Sequence, residues 1–228
     1  MRLRLTAVAL ATVLSVGLNQ PALATAIVDV QAFFAGSVRA EDGGALPAGF
    51  AIACLGAGCS DTVHVFLSRT APGETTQTKS DSGGIAITNN TGTDSEVLIF
   101  LIWSAFNPGG LEIGASVDDP TLEFASFSSR VAITVPPNPL AGPLEDFHAC
   151  ETSVGEPSCG VKAPDANEVE FPVLLAAGST AEVDYVIDVS GTVRIIPEPG
   201  TVALFGAGLM MLWRRAAGGR CRSFAASS

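Results

Sequence analysis

The sequence predicts an all-β fold, an antiparallel β-sandwich of jelly-roll or immunoglobulin-like type, in a single domain with an apolar signal at each end. Three observations carry this. Apolar residues recur with a period of two along the middle of the chain, the spacing of strands that bury one face. Clusters rich in Gly, Pro, Asn and Asp separate these runs at short intervals, as turns between strands require. No amphipathic helical pattern intervenes, so two stacked sheets are the natural way to bury the apolar faces.

The elements follow in order. Val28, Val30, Ala32 and Phe34 form the first apolar row. "TVHVFL" aligns Val63, Val65 and Leu67, and "GGIAIT" aligns Ile85 and Ile87. "EVLIFLIWSAF", from Glu96 to Phe106, is apolar on both faces and reads as a central strand covered on both sides. "RVAITV" groups Val131, Ile133 and Val135. "EVDYVIDVS" groups Val183, Tyr185, Ile187 and Val189 against Glu182, Asp184 and Asp188. The breaks "EDGGALPAG", "TAPGE", "SDSGG", "NNTGTD", "NPGG", "VDDP" and "PPNPLAGP" read as turns. The Pro-rich segment from Pro136 to Pro143 and the cysteine-bearing segment after it read as one long excursion.

The chain has 228 residues, 47% of them hydrophobic and 15% charged, enough apolar material for a packed core. Charge is unevenly placed. All 23 acidic residues lie between residues 25 and 200 with six basic ones, Arg39, Arg69, Lys79, Arg130, Lys162 and Arg194, a net charge of −17. Such a body repels phosphate backbones, which argues against nucleic acid as a partner. It is the surface of a soluble, aggregation-resistant protein.

"MRLRLTAVALATVLSVGLNQPALATA" joins a basic start, an apolar stretch and small-x-small cleavage sites ending at Ala24 or Ala26. This three-part pattern is a secretory leader, residues 1–24, removed by signal peptidase. Cysteine usage agrees with export. Four of the five cysteines lie in the middle, Cys54 and Cys59, then Cys150 and Cys159. Three pairings are possible. The two local ones are favoured because each closes a short loop containing Gly. The spacings are wide of zinc-ligand pairs, so no metal site is expected of them.

Catalytic patterns fail on inspection. "SDSGG" resembles the nucleophile stretch of trypsin-like proteases, with His64 upstream, but His64 and Ser82 are too close in sequence for that arrangement. A tight turn explains the string. His148 has no second histidine at ligand spacing. Asp118 and Asp119, with Asp94 and Glu96 in another turn, are possible oxygen ligands for calcium without a recognised loop motif. "NNT" at Asn89 matches a glycosylation sequon. No cofactor fingerprint is present, and the chain reads as a non-enzyme without bound cofactor or metal.

At the other end, "IPEPGTVALFGAGLMMLWRRAAGGR" carries an uncharged run of 14 residues, Gly200 to Trp213, followed by Arg214 and Arg215. As a helix it measures about 21 Å, against about 30 Å of hydrocarbon in a bilayer. The order Pro197-Glu198-Pro199, short apolar helix, then arginines closely resembles the PEP-CTERM sorting signal of Gram-negative bacteria. The resemblance implies that Pro197, Glu198 and Pro199 are recognised by an exosortase, that Thr201 to Trp213 form a transmembrane helix, and that Arg214 and Arg215 stop transfer. Residues 197–215 are then the sorting signal and 216–228 a cytoplasmic tail. The exported domain spans 25–196.

The expectation is an exported, exosortase-processed protein of the cell surface or extracellular space. Its role is non-catalytic and sits, as the resemblance implies, in an exopolysaccharide or biofilm matrix. Its partners are signal peptidase and exosortase during export, with transient inner-membrane insertion through the C-terminal helix, and exopolysaccharide afterwards. A calcium- or carbohydrate-binding surface module and a secreted hydrolase are the alternatives.

Overall fold

The computed structural model describes residues 25–105, 114–135, 144–160, 166–197 and 199–218. The expected leader with Ala24, the Pro136–Pro143 segment, Glu198 and the chain after Gly218 lie outside the described residues.

Eleven strands are described: β1 (Ala26–Ala40), β2 (Phe50–Gly56), β3 (Ser60–Arg69), β4 (Gly73–Asn89), β5 (Ser95–Ser104), β6 (Ala115–Val117), β7 (Glu123–Thr134), β8 (Leu144–Glu151), β9 (Ser158–Cys159), β10 (Asn167–Leu175) and β11 (Thr180–Ile195). A single described helix, α1 (Pro199–Gly218), follows. Among the described residues the strands form two sheets. The five-stranded one runs β2-β4-β11-β7-β8 and the six-stranded one runs β10-β5-β1-β6-β9, with β3 also on β1. All pairings are antiparallel. The first 15-residue strand carries β3 along one edge, and β6 and then β5 along the other.

The period-two rows are the core. Val28, Val30, Ala32, Phe34, Val63 and Val65 from the six-stranded sheet meet Ile85, Ile87, Val131, Ile133, Val183, Tyr185, Ile187 and Val189 from the other. Leu67 and Val135 pack at its margin. Side chains that alternate about the pleat reach one face only, so each predicted row lands inside and its polar partners outside. At the centre the rings of Phe34 and Tyr185 stack with centroids 4.2 Å apart. Gly191 lets β11 approach closely, since a Cβ there would meet Val28 Cγ1 at 2.7 Å and Val65 Cγ1 at 3.2 Å.

Three expectations need correction. β5 is flanked by β1 and β10 but packs a sheet on one face only; Leu98, Phe100 and Ile102 remain half-buried on the other, where the Arg39 guanidinium lies 5.5 Å over the Phe100 ring. The long aliphatic stem of an arginine covers apolar surface that no second layer reaches. "SDSGG" is no turn. It lies inside β4, where Gly83 and Gly84 lack side chains because Leu55, Tyr185 and Val183 press against them. The excursion after residue 143 returns as β8, an edge strand paired with β7 from Ser126 to Ile133.

Each lateral edge of the five-stranded sheet is stapled to the other sheet. Cys54 in β2 is bonded to Cys59, which leads into β3. Cys150 in β8 is bonded to Cys159 in β9. Both local pairings are therefore the ones present.

Candidate functional site

The residues expected to form a sorting signal are spread from the end of β11 to the far end of α1. Pro197 is exposed, and Pro199 opens α1, the position where proline's missing N–H costs nothing and its fixed φ suits the helix. Arg214 and Arg215 fall within the last turns of α1. Every α1 side chain described is exposed, including Leu204, Leu209, Met210, Met211, Leu212 and Trp213, the last at 76%. Five consecutive apolar residues point around the whole helix, so no single face serves for packing on the sandwich.

The transmembrane stretch expected over Thr201–Trp213 is corrected at this point. Among the described residues no helix is long and apolar enough to cross a membrane. The apolar run is short, Gly200, Gly206 and Gly208 dilute it, and two arginines occupy the turns that would complete a span.

The candidate catalytic and metal residues come apart. His64 Nε2 lies 2.7 Å from Asp29 Oδ1 on the outer face of the six-stranded sheet. Ser82 faces outward from the other sheet, next to the inward Gly83. The core stands between them. His148 lies on β8, with Nε2 3.2 Å from Asp146 Oδ1, while Asp146 Oδ2 accepts from the Ala105 N–H at 2.8 Å. Asp118 and Asp119 sit beyond the start of β1, and Asp94 and Glu96 beyond its end. The length of that strand, about 45 Å, separates the two turns. Asp119 is occupied locally, its carboxylate held below its usual range by hydrogen bonds from the Thr121 hydroxyl and backbone N–H. Glu123 Oε2 accepts from the Asp118 and Asp119 N–H groups. Among the described residues no three His, Cys, Asp or Glu side chains converge to hold a metal.

Asn89 is fully buried. Its amide donates to the carbonyls of Thr93 and Leu175, and its oxygen accepts from Thr91 N–H and Oγ1. The sequon residue is a structural bracket for the β4–β5 turn and offers no amide to a glycan.

Sequence reasoning missed two features. One is the outer face of the five-stranded sheet. Thr76, Thr192 and Ser126 share one row there, and Thr78, Ser190 and Ser128 the next. Thr76 and Thr192 hydroxyls lie 3.0 Å apart, and those of Ser128 and Ser190 2.8 Å apart. A depression of about 410 Å³ opens over Ser126, Ser128, Ser190, Thr192, Ala149 and Glu151, and exposed Phe147 lies further along β8. The even-numbered Ser and Thr positions were the available signal. The other is Tyr185, whose hydroxyl is buried without a partner among the described residues. Burial first, then the negative charges of Asp61 and Asp81, push its pKa up to about 12.

Compared with known proteins, the chain matches no family model, no curated protein and no solved structure.

Proposed function

We propose that this chain is an exported surface or matrix protein whose C-terminal helix serves as a temporary membrane hold, recognised at Pro197-Glu198-Pro199 and removed by an exosortase. The supporting observation is the contrast between two parts. An acidic, twice disulfide-bonded sandwich is followed at once by a helix that is apolar on all sides and exposed on every side chain described. Such a helix finds its complement in lipid. Too short and too diluted to span, it is suited to a temporary hold at the membrane ahead of cleavage, with Arg214 and Arg215 as its basic end. The two disulfides fit an oxidising destination.

Ala26 supports leader cleavage after Ala24. It is fully buried in β1 and pairs with Arg69 and Val117, so cutting after Ala26 would remove the first core residue of the strand. The body's role is non-catalytic, in an exopolysaccharide-containing matrix.

Mass spectrometry of the protein recovered outside the cell tests the sorting. The expected C-terminus lies upstream of Arg214, and Arg214→Glu with Arg215→Glu should leave the precursor unprocessed. Recovery of an intact chain through Ser228 from the external fraction would overturn it. The hydroxyl rows and exposed Phe147 favour a second reading, a carbohydrate-binding body, in which Phe147 stacks on a sugar ring. Calorimetry with the host's own exopolysaccharide decides it, and Phe147→Ala should abolish the heat.

A further inference from the structure

The two layers part along the margin where β3 lies over β4. β2 covers β4 only from Gly83 to Asn89, so among the described residues Gly73 to Asp81 carry no strand on that side of their sheet. Across this edge β3 runs in the opposite layer, and two contacts fix its stagger. Arg69 Nη1 donates to Thr75 Oγ1 at 2.7 Å, and Lys79 Nζ donates to the His64 carbonyl at 2.6 Å. Asp61 pairs with the inward Phe34, and Asp81 with the inward Ile187, so both acids belong to the inner faces of their strands at this margin. The Cys54–Cys59 loop crosses between the layers at this corner, with the Ala57 N–H donating to the Ser82 carbonyl at 3.0 Å.

Tyr185, the only tyrosine of the chain, reaches into the same corner. It is 1% exposed, stacks on Phe34, and Phe34 pairs directly with Asp61. On its other side it pairs with Gly83, where a Cβ would lie 2.7 Å from the phenol oxygen and 2.6 Å from the Leu55 carbonyl. The phenol oxygen and Asp61 Oδ2 are both buried without hydrogen-bond partners among the described residues. Asp61 Oδ1 accepts from the Thr62 N–H at 2.7 Å, and Asp81 Oδ1 from the Ser82 N–H at 2.8 Å, leaving one oxygen of each carboxylate for another partner. Arg69 and Lys79, the basic groups of this margin, are engaged further along it. Two carboxylates and an unpartnered phenol thus converge where burial makes unmet polar groups costly.

We propose that Asp61, Asp81 and Tyr185 hold a calcium ion beneath the Cys54–Cys59 loop. All the donors are oxygen, which selects a hard cation, and calcium tolerates an irregular shell completed by water. Two carboxylates place its affinity in the weak class suited to extracellular calcium, with Kd on the order of 10⁻⁴ to 10⁻³ M. Gly83 keeps the corner open. This site is independent of how the tail is processed.

The test is calcium titration of the intact exported chain in mild detergent, read by calorimetry and by near-ultraviolet tyrosine absorbance. One chromophore of that type makes the optical signal specific to Tyr185. The expected result is one calcium per chain, a change in the tyrosine spectrum, and at least a tenfold loss of affinity in Asp61→Asn and in Asp81→Asn. Gly83→Ala should lose binding similarly, while Asp119→Asn binds as the parent does. Asp81 is exposed, so its variant folds and decides the matter even if Asp61→Asn does not. Calcium binding that leaves the tyrosine spectrum unchanged, or that survives Asp81→Asn undiminished, overturns the proposal, as does the absence of binding.

Discussion

Tyr185 shows how much one buried polar atom carries. Its ring is core, stacked on Phe34, yet its hydroxyl has no partner and ionises only near pH 12. An unfolded tyrosine ionises near about 10. Since burial disfavours only the ionised phenol, the fold carries no ionisation penalty below about pH 10 and loses stability as pH rises from there through about 12. The full loss is about 2–3 kcal/mol. Denaturation at stepped alkaline pH should show that decline in the parent and lack this component in Tyr185→Phe. In a chelator, Tyr185→Phe should be more stable than the parent by about 1 kcal/mol, because it removes an unsatisfied buried hydroxyl. Gly191 is the opposite case, a position with no room. Gly191→Val would drive methyl groups into Val28 and Val65, and urea unfolding should register a loss of about 1–3 kcal/mol.

At the scale of elements, the disulfides act on the crossings between the two sheets. β2 and β8 are the two edges of the five-stranded sheet, and each is tied within a few residues to a strand of the other layer. Closing loops this short limits the unfolded chain by about 2–3 kcal/mol each. Replacing Cys54 and Cys59 by Ser should lower Tm by about 4–9 °C, and replacing Cys150 and Cys159 should do the same. The two losses should add, because the edges lie on opposite sides of the sheet. Thermal melts of the single and combined variants check both statements.

For the whole molecule, the body and the helix are separate in energetic terms. The described α1 side chains are exposed, so the sandwich draws no burial from them. A chain ending at Ile196 should melt within about 2 °C of the full chain in the same detergent. It should remain soluble without detergent, and light scattering will show association only when Leu209 to Trp213 are present. A larger fall in Tm would mean that the helix packs on the body.

Much of the fold was legible because alternation in a strand is a direct record of which side meets water. Val28 to Phe34, Val63 to Leu67 and Val183 to Val189 needed no tertiary information to be assigned to a core. The local cysteine pairs were legible from loop length. What remained hidden depended on neighbours distant in sequence. Gly83 reads as a turn until Tyr185 and Leu55, brought by β11 and β2, are seen to occupy its missing side chain's place. Asp61, Asp81 and Tyr185 have no motif, since their nearness comes from the stagger of β3 over β4. The alternation of residues thus determined what is inside and outside, because side-chain direction is a local property of the backbone. Only the stacking of two sheets decided which polar groups meet, because that contact is set by crossings between layers and leaves no spacing in the chain.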